Sequence, residues 1–192
     1  DPHTLLVLAL TATFVSCGTN EPRKETMLDP LATASLLPFQ APVFDQLDNT
    51  VYQPAIEAGM AEQMAEVAAI IADPAPPTFE NTIVAMERSG QRLTRARNIF
   101  FNLTGSATND SLQAIKADLM PKLAAHEDLI TMNDGLFQRV RSVYDGRLNA
   151  GLDAAQTRLV ERYYTRFVRA GALLAPEAKD RLKALNAEEA TL

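Results

Sequence analysis

The chain of 192 residues lacks tryptophan and contains one cysteine, two histidines and eight glycines. A single cysteine excludes an internal disulfide framework and any cysteine-rich zinc site. Acidic residues outnumber lysine and arginine by 24 to 18, so the formal net charge is −6. Because phosphate binding requires clustered basic residues, this balance argues against a nucleic-acid partner.

Motifs for phosphate binding and for nucleophilic catalysis are also missing. No glycine-rich phosphate loop of either common spacing is present. A serine or cysteine nucleophile requires a neighbouring base. His3 lies next to the apolar N-terminal run, and His126 is the only histidine beyond it. We therefore predict no catalytic residue in this chain.

The pentapeptide HEDLI, which begins at His126, resembles the start of the His-Glu-x-x-His motif of zinc proteases. That motif places two histidines one helical turn apart, on the same face. Here Ile130 occupies the position of the second histidine, and Glu127 and Asp128 would supply only a weak carboxylate site. We expect His126 to be a packing or helix-surface residue, and we predict no metal ligand in the chain.

The first 17 residues are typical of an export signal. An apolar run from Leu5 to Val15 has the length of a signal-peptide core. It leads into Cys17-Gly18, which resembles the lipobox of bacterial lipoproteins, so Cys17 is the predicted lipidation site. The alternative is a plain secretory signal that happens to contain Cys17. A lipid on Cys17 would anchor the protein to the periplasmic side of a bacterial membrane.

Two further regions follow the predicted signal. Residues 18–37 are polar and include two prolines, which predicts a tether between the anchor and the folded part. Residues 38–192 are predicted to form one helical domain. No segment alternates with the period of a strand, so the predicted fold class is all-α, with several helices.

Apolar spacing of three and four residues marks the helices. The first carries the stripe Ile56, Met60, Met64, Val67 and Ile71 and ends before Pro74. The second is expected to run from the N-cap Thr78 to about Thr104, and Gly90 within it is interpreted as a kink or a close packing contact. The third starts near Asp110, and Pro121 predicts a kink or a break within it.

The remaining helices complete the predicted domain. A short one follows the turn signal at Asn133, and another spans Asp153 to Leu174, with Leu159, Tyr163, Phe167 and Leu174 facing inward. Pro176 is the predicted first residue of the last helix. Its pattern continues to Leu192 without a stop signal, so the chain is expected to be part of a longer one.

One basic cluster is a candidate functional surface. It consists of Arg88, Arg92, Arg95 and Arg97 on the second predicted helix. These side chains could line a path for an acidic substrate. Pairing with Glu87 or with acids on neighbouring helices is the favoured interpretation. The adjacent pair Glu188 and Glu189 is read as a solvated helix surface.

Several blocks of the sequence resemble one enzyme family. They are Pro77 to Thr82 (PTFENT), Glu87 to Gly90 (ERSG), Phe100 to Thr104 (FFNLT) and Pro121 to His126 (PKLAAH). In this order they are similar to the N-terminal region of the thimet-oligopeptidase-like zinc metallopeptidases, in the peptidyl-dipeptidase (dipeptidyl carboxypeptidase) branch. The likeness extends over residues 38–192.

This resemblance implies a helical domain that forms one wall of a deep channel. Family members bind zinc through a His-Glu-x-x-His helix and a further glutamate in a C-terminal half, and the peptidyl-dipeptidase branch releases dipeptides from the C-terminus of oligopeptides. No position of this chain matches those residues. We therefore expect zinc only in the parent enzyme, an inactive fragment here, and a monomer when complete. The rival hypotheses are a non-catalytic all-α lipoprotein that binds or scaffolds a partner, and an endo-acting oligopeptidase of the same family.

Overall fold

The computed structural model describes residues 29–192. The predicted signal peptide, Cys17 and the first part of the predicted tether lie outside the described residues. Between residues 29 and 192 the regular structure is helical and contains no strand, which confirms the all-α prediction. None of the helices in this part of the chain is both long and apolar enough to cross a bilayer.

The α-helices differ widely in length. A π-helical segment, Phe79–Val84, leads directly into a single short turn of α-helix, and short 3₁₀ turns precede the first helix and follow the fifth. The helices are α1 (Tyr52–Ala72), α2 (Ala85–Arg88), α3 (Gln91–Ser106), α4 (Asp110–Thr131), α5 (Asp134–Gly146), α6 (Ala154–Arg169) and α7 (Pro176–Glu189).

Helix α1 is central and contributes to two hydrophobic cores. Its first half packs on α3 and α4, and its second half packs on α5 and shares a core with the π-helical segment and α6. The predicted stripe on α1 faces the cores, since Ile56 and Val67 are almost completely buried and Met60, Met64 and Ile71 are partly buried against them. The first core contains Leu31, Tyr52, Ala55, Ile56, Leu93, Ala96, Phe100, Leu112 and Leu119. The second contains Val67, Ile70, Ile83, Met86, Ile130, Leu136, Phe137, Val140, Val143, Val160, Tyr163, Phe167 and Ala172.

The second predicted helix is divided at Gly90. Thr78 is its N-cap, as predicted, and forms a capping box with Asn81. The chain then leaves the helix after Arg88, and Gly90 adopts φ = 69°, in the left-handed region that favours glycine. Its N–H donates to a carboxylate oxygen of Glu66 at 2.7 Å. The chain is therefore broken at this point, and α2 and α3 are separate helices.

The third predicted helix is not broken at Pro121, where the sequence predicted a kink or a break. Helix α4 continues through Pro121 to Thr131 without interruption. Proline removes one backbone donor, but the helix has 22 residues and is held on both sides of the proline by buried Leu119 and Ile130. Packing thus compensates for the local cost.

Two predictions near the C-terminus were wrong in detail. Helix α6 ends at Arg169 rather than at Leu174, because the chain turns at Gly171, which has φ = 95°. Ala172 occupies the core instead, and Leu174 is exposed. Pro176 does begin α7, as predicted, but this helix ends at Glu189, before the last residues.

Helix α7 is attached to the bundle mainly through polar contacts. Lys179 is its one buried residue, and its ammonium group pairs with Asp134 and donates to the carbonyl of Met132. Asn186 donates to the buried carboxylate of Asp128 at 2.8 Å. These contacts fix α7 alongside the end of α4 and the start of α5.

The segment before α1 is also attached to the bundle. Leu31 is 2% exposed and belongs to the first core. Asp29 pairs with Arg92 at 2.5 Å, and Arg95 donates to the carbonyls of Leu31 and Ala32. These positions were predicted to be a tether, since the apolar residues around Leu31 do not recur with helical spacing.

Candidate functional site: a polar cleft between the two cores

A cleft of about 760 Å³ lies between the two hydrophobic cores. Its walls come from α1, α2, α3, α4 and α6, so it is shaped by the packing of most of the bundle. The break at Gly90 lies beside it, since Glu87 of α2, Ser89 and Arg97 of α3 all line it. Its polar lining comprises Gln63, Glu87, Ser89, Thr94, Arg97, His126, Glu127, Tyr163 and Arg166.

His126 is buried in the wall of this cleft. Its side chain is largely shielded from solvent, and Nε2 donates to Oε1 of Gln63 at 2.7 Å. Burial lowers the pKa of His126, Glu127 opposes the shift, and Arg97 adds to it. The imidazole is therefore neutral near pH 7. The prediction of a packing histidine is confirmed.

The residue one helical turn after His126 cannot bind a metal ion. Ile130 is buried among apolar side chains of the second core. In the part of the chain from residue 29 onward, no three His, Cys, Asp or Glu side chains lie close enough together to hold a metal ion. These residues do not fit zinc, which requires three or four such ligands.

A second interhelical hydrogen bond crosses the cleft between Glu87 and Tyr163. The Tyr163 hydroxyl donates to Oε1 of Glu87 at 2.6 Å. Burial raises the pKa of Tyr163 well above its usual value, and the bond to Glu87 raises it further. The phenol therefore stays protonated and joins α6 to α2.

Charged side chains surround the opening of the cleft. Arg166 pairs with Glu127 at 2.5 Å, and both side chains are about half exposed. Arg97 also faces the cleft, and it makes no ion pair or hydrogen bond with any other residue of the described range. The site thus combines buried hydrogen-bonding groups inside with exposed charges at its opening, which suits binding of a polar ligand.

The predicted arginine cluster does not form one surface. Arg92 pairs with Asp29 and Glu62, so the expected contact with neighbouring acids is confirmed there. Arg95 holds the segment around Leu31, whereas Arg97 faces the cleft. Glu87 is bonded to Tyr163 rather than to an arginine of the cluster.

Sequence reasoning missed several residues of the cleft. Gln63 and His126 lie 63 positions apart, and Glu87 and Tyr163 lie 76 apart. Tyr163 was expected to face inward, but its hydroxyl partner could not be inferred. No spacing rule connects such distant residues, so the only available signal was that Tyr163 is a polar side chain on a buried helix face.

Comparison with known proteins identifies what this bundle is related to. No family model matches the chain. A dipeptidyl carboxypeptidase of Escherichia coli (strain K12) is 46% identical to it over 167 residues, and that of Salmonella typhimurium is 44% identical over 164 residues. The resemblance inferred from the sequence is confirmed. The chain is related to part of the dipeptidyl carboxypeptidases, in the peptidyl-dipeptidase branch of the thimet-oligopeptidase-like family.

The similarity has a limited extent in the relatives. The two alignments cover 87% and 85% of this chain but only 24% of each dipeptidyl carboxypeptidase. Oligopeptidase A of E. coli is more distant, at 24% identity over 155 residues, which is 81% of this chain and 22% of that protein. The chain therefore spans about a quarter of the length of the known relatives it matches.

Proposed function

We propose that this chain is the N-terminal helical domain of a zinc-dependent peptidyl-dipeptidase, which releases dipeptides from the C-terminus of oligopeptides. The observation that carries this proposal is the 46% identity with a dipeptidyl carboxypeptidase over 87% of the chain. Identity at that level over most of a domain favours a shared role for the domain. In this proposal the helices form a wall of the substrate channel.

The chemistry of the cleft supports a binding role for this part of the enzyme. Its buried groups are a neutral imidazole and a protonated phenol, each already hydrogen-bonded to a neighbour. Neither is arranged as a nucleophile with its base. Zinc, its ligands and the residue that activates water would then belong to polypeptide outside this chain.

Exposed leucines support docking of this domain onto further polypeptide. Leu129 on α4 and Leu185 on α7 are each more than half exposed, and Leu173 and Leu174 are exposed in the turn between α6 and α7. Further polypeptide packed over these side chains would remove their apolar surface from water.

The proposal includes export and a lipid anchor at Cys17. The apolar run followed by the lipobox-like sequence supports it. Growth of expressing bacteria with labelled palmitate tests it, because Cys17 should carry label in the membrane fraction. A Cys17→Ala variant should lose both label and membrane association. An unlabelled wild-type protein would favour a plain secretory signal.

The activity is tested on the parent gene product with an N-blocked tetrapeptide. We expect mass spectrometry to detect the C-terminal dipeptide as the first product, and we expect a chelator to abolish its release and zinc to restore it. The 192-residue chain serves as the control and should release nothing. Metal analysis of that purified chain should find no stoichiometric zinc. Dipeptide release by the control, or one tightly held zinc per chain, would contradict the assignment.

A second candidate is an endo-acting oligopeptidase of the same family, which the similarity to oligopeptidase A favours. The two differ in where they cut a longer peptide. A nonapeptide with an amidated C-terminus should be a poor substrate for an enzyme that grips the terminal carboxylate. Efficient internal cleavage of that peptide would support the endo-acting alternative.

A further inference from the structure

Four arginines form a continuous ridge on the exposed side of α6. Arg158, Arg162, Arg166 and Arg169 follow one another at intervals of four, four and three residues. This spacing places them on one face of the helix. Together with Thr165 they line a shallow trough of about 610 Å³. We call this set the arginine ridge.

The ridge is only partly neutralised by neighbouring acids. Arg158 lies 3.5 Å from Glu161, which is shared with Arg147, and Arg166 pairs with Glu127. For Arg162 and Arg169, no acid among residues 29–192 lies within ion-pair distance. Like charges one helical turn apart repel one another and destabilise a helix. The exposed ridge is therefore not explained by folding, particularly in a chain of net charge −6.

The ridge and the polar cleft meet at Arg166. This residue lines the trough on α6 and also the opening of the cleft. Arg97 brings a further positive charge to the cleft from α3. An extended ligand could therefore lie along α6 and continue past Arg166 into the cleft, where Glu87 and Glu127 stand beside the two arginines.

We propose that the arginine ridge binds acidic side chains of oligopeptides, so that peptides containing aspartate and glutamate are the preferred ligand class of this domain. The proposal rests on the proposed function, since it names the substrate class for the same cleft. Guanidinium groups bind carboxylates through two parallel hydrogen bonds, which makes arginine the appropriate residue for this task.

The surroundings of the ridge favour a peptide over other anions. Proteins that bind single-stranded nucleic acid combine basic grooves with stacking aromatic rings, and no aromatic side chain lines the trough. A flat anionic membrane could contact the ridge but could not follow it into the cleft. A flexible peptide can occupy both.

The test uses fluorescence anisotropy with the full 192-residue chain and two labelled decapeptides, which differ only by four glutamates replaced with glutamines. We expect the glutamate peptide to bind at least about fivefold more tightly, because several exposed ion pairs act together. Raising the salt concentration from about 0.05 M to about 0.5 M should remove most of this preference by screening.

A double variant assigns the effect to the ridge. The protein that carries both Arg162→Gln and Arg169→Gln should lose the preference for the glutamate peptide. Arg141→Gln is the matched control, since Arg141 is an exposed arginine on α5, outside the trough, and it should retain the preference. Circular dichroism verifies that each variant is folded, which is expected because all three side chains are exposed.

Several outcomes would overturn the proposal. Equal affinity of the wild type for the two peptides would do so. An equal loss of the preference for the glutamate peptide in the ridge variant and in the control variant would do so as well. Tighter, ridge-dependent binding to phosphatidylglycerol vesicles or to single-stranded DNA would assign the ridge to a membrane or to nucleic acid instead. Assays of the parent enzyme distinguish failure of this proposal from failure of the proposed function. Dipeptide release without any preference for peptides that contain aspartate or glutamate would refute the ridge proposal alone. Ridge-dependent peptide binding without any dipeptide release would refute the proposed function alone.

Discussion

Gly59 of α1 lies directly against Leu93 of α3. A Cβ atom added at Gly59 would stand 2.7 Å from the Leu93 Cα. Real side-chain atoms do not approach a backbone atom so closely, so the two helices could not keep their present separation. The contact lies within the first core, and α1 packs on α3 more extensively than on any other element of the described chain.

Gly59→Ala should therefore destabilise the domain by about 1–3 kcal/mol, the usual cost of inserting an atom into a packed interface. Urea unfolding followed by circular dichroism measures the change. The matched control is Gly105→Ala in α3, where an added Cβ meets nothing within 4 Å. That variant should be neutral or stabilised by up to about 1 kcal/mol. Equal behaviour of the two variants would argue against the close approach of α1 and α3.

Arg139 of α5 holds the segment that follows α1. Its Nη1 donates to the Asp73 carbonyl at 2.8 Å and to the Ala75 carbonyl at 3.4 Å, and the side chain is 9% exposed. Arg139→Met should cost about 2 kcal/mol, since hydrogen bonds from a charged donor are lost in a buried place. Arg141→Met, two positions away and 59% exposed, should change stability by less than about 0.5 kcal/mol.

Stability should fall as the solution becomes acidic, partly because of His126. Its pKa in the folded state is below the unfolded value of 6.5, mainly through burial. The unfolded chain therefore binds a proton more readily, and the stabilising contribution is lost as the pH falls below about 6.5. Titration of the His126 ring protons by NMR should give a pKa below 6.5.

A His126→Gln variant provides the corresponding stability measurement. Its free energy of unfolding should change less between about pH 7 and pH 5 than that of the wild type, because the titrating group is gone. Identical pH dependence of the two proteins would contradict the assignment, as would an NMR pKa at or above the ordinary value.

Tyr163 should also make stability depend on pH, but in its case the stabilising contribution is lost as the solution becomes alkaline. Burial and the bond to Glu87 raise the pKa of its phenol above the ordinary 10.0. The contribution is complete below pH 10 and is lost as the pH rises above it, because the unfolded chain loses the proton first.

Tyr163→Phe should remove this dependence and cost about 1 kcal/mol at pH 7. Tyr164→Phe is the control, since the Tyr164 hydroxyl has no hydrogen-bond partner among residues 29–192. If the Tyr164→Phe variant lost the alkaline dependence as well, the effect could not be assigned to Tyr163.

The sequence was sufficient to predict the helices and many of their buried faces. Apolar spacing located Ile56 and Val67 correctly because one helix face alone decides which residues are buried. Thr78 and Pro176 were predicted from the chemistry of helix ends, which is equally local. Leu174 was misplaced because the turn at Gly171 depends on how α7 packs back onto the bundle, which spacing along the chain does not report.

The cleft was less accessible to sequence reasoning than the helices. The prediction that His126 is not a metal ligand needed only the neighbouring Ile130. Its actual partner, Gln63, lies on another helix, and so do the partners of Tyr163 and Arg166. Such pairings are set by how helices cross, and the crossing of α1 and α4 has no signature in the local sequence.

The attachment of Leu31 has a practical meaning for any shortened version of the chain. A protein that begins at residue 38, the predicted start of the helical domain, would lack Leu31 and Asp29. The first core would then contain an open gap beside α3, and Arg92 would lose one of its two acidic partners. Removing a fully buried leucine side chain costs about 2–5 kcal/mol. Expression of a stable domain therefore requires a start no later than Asp29.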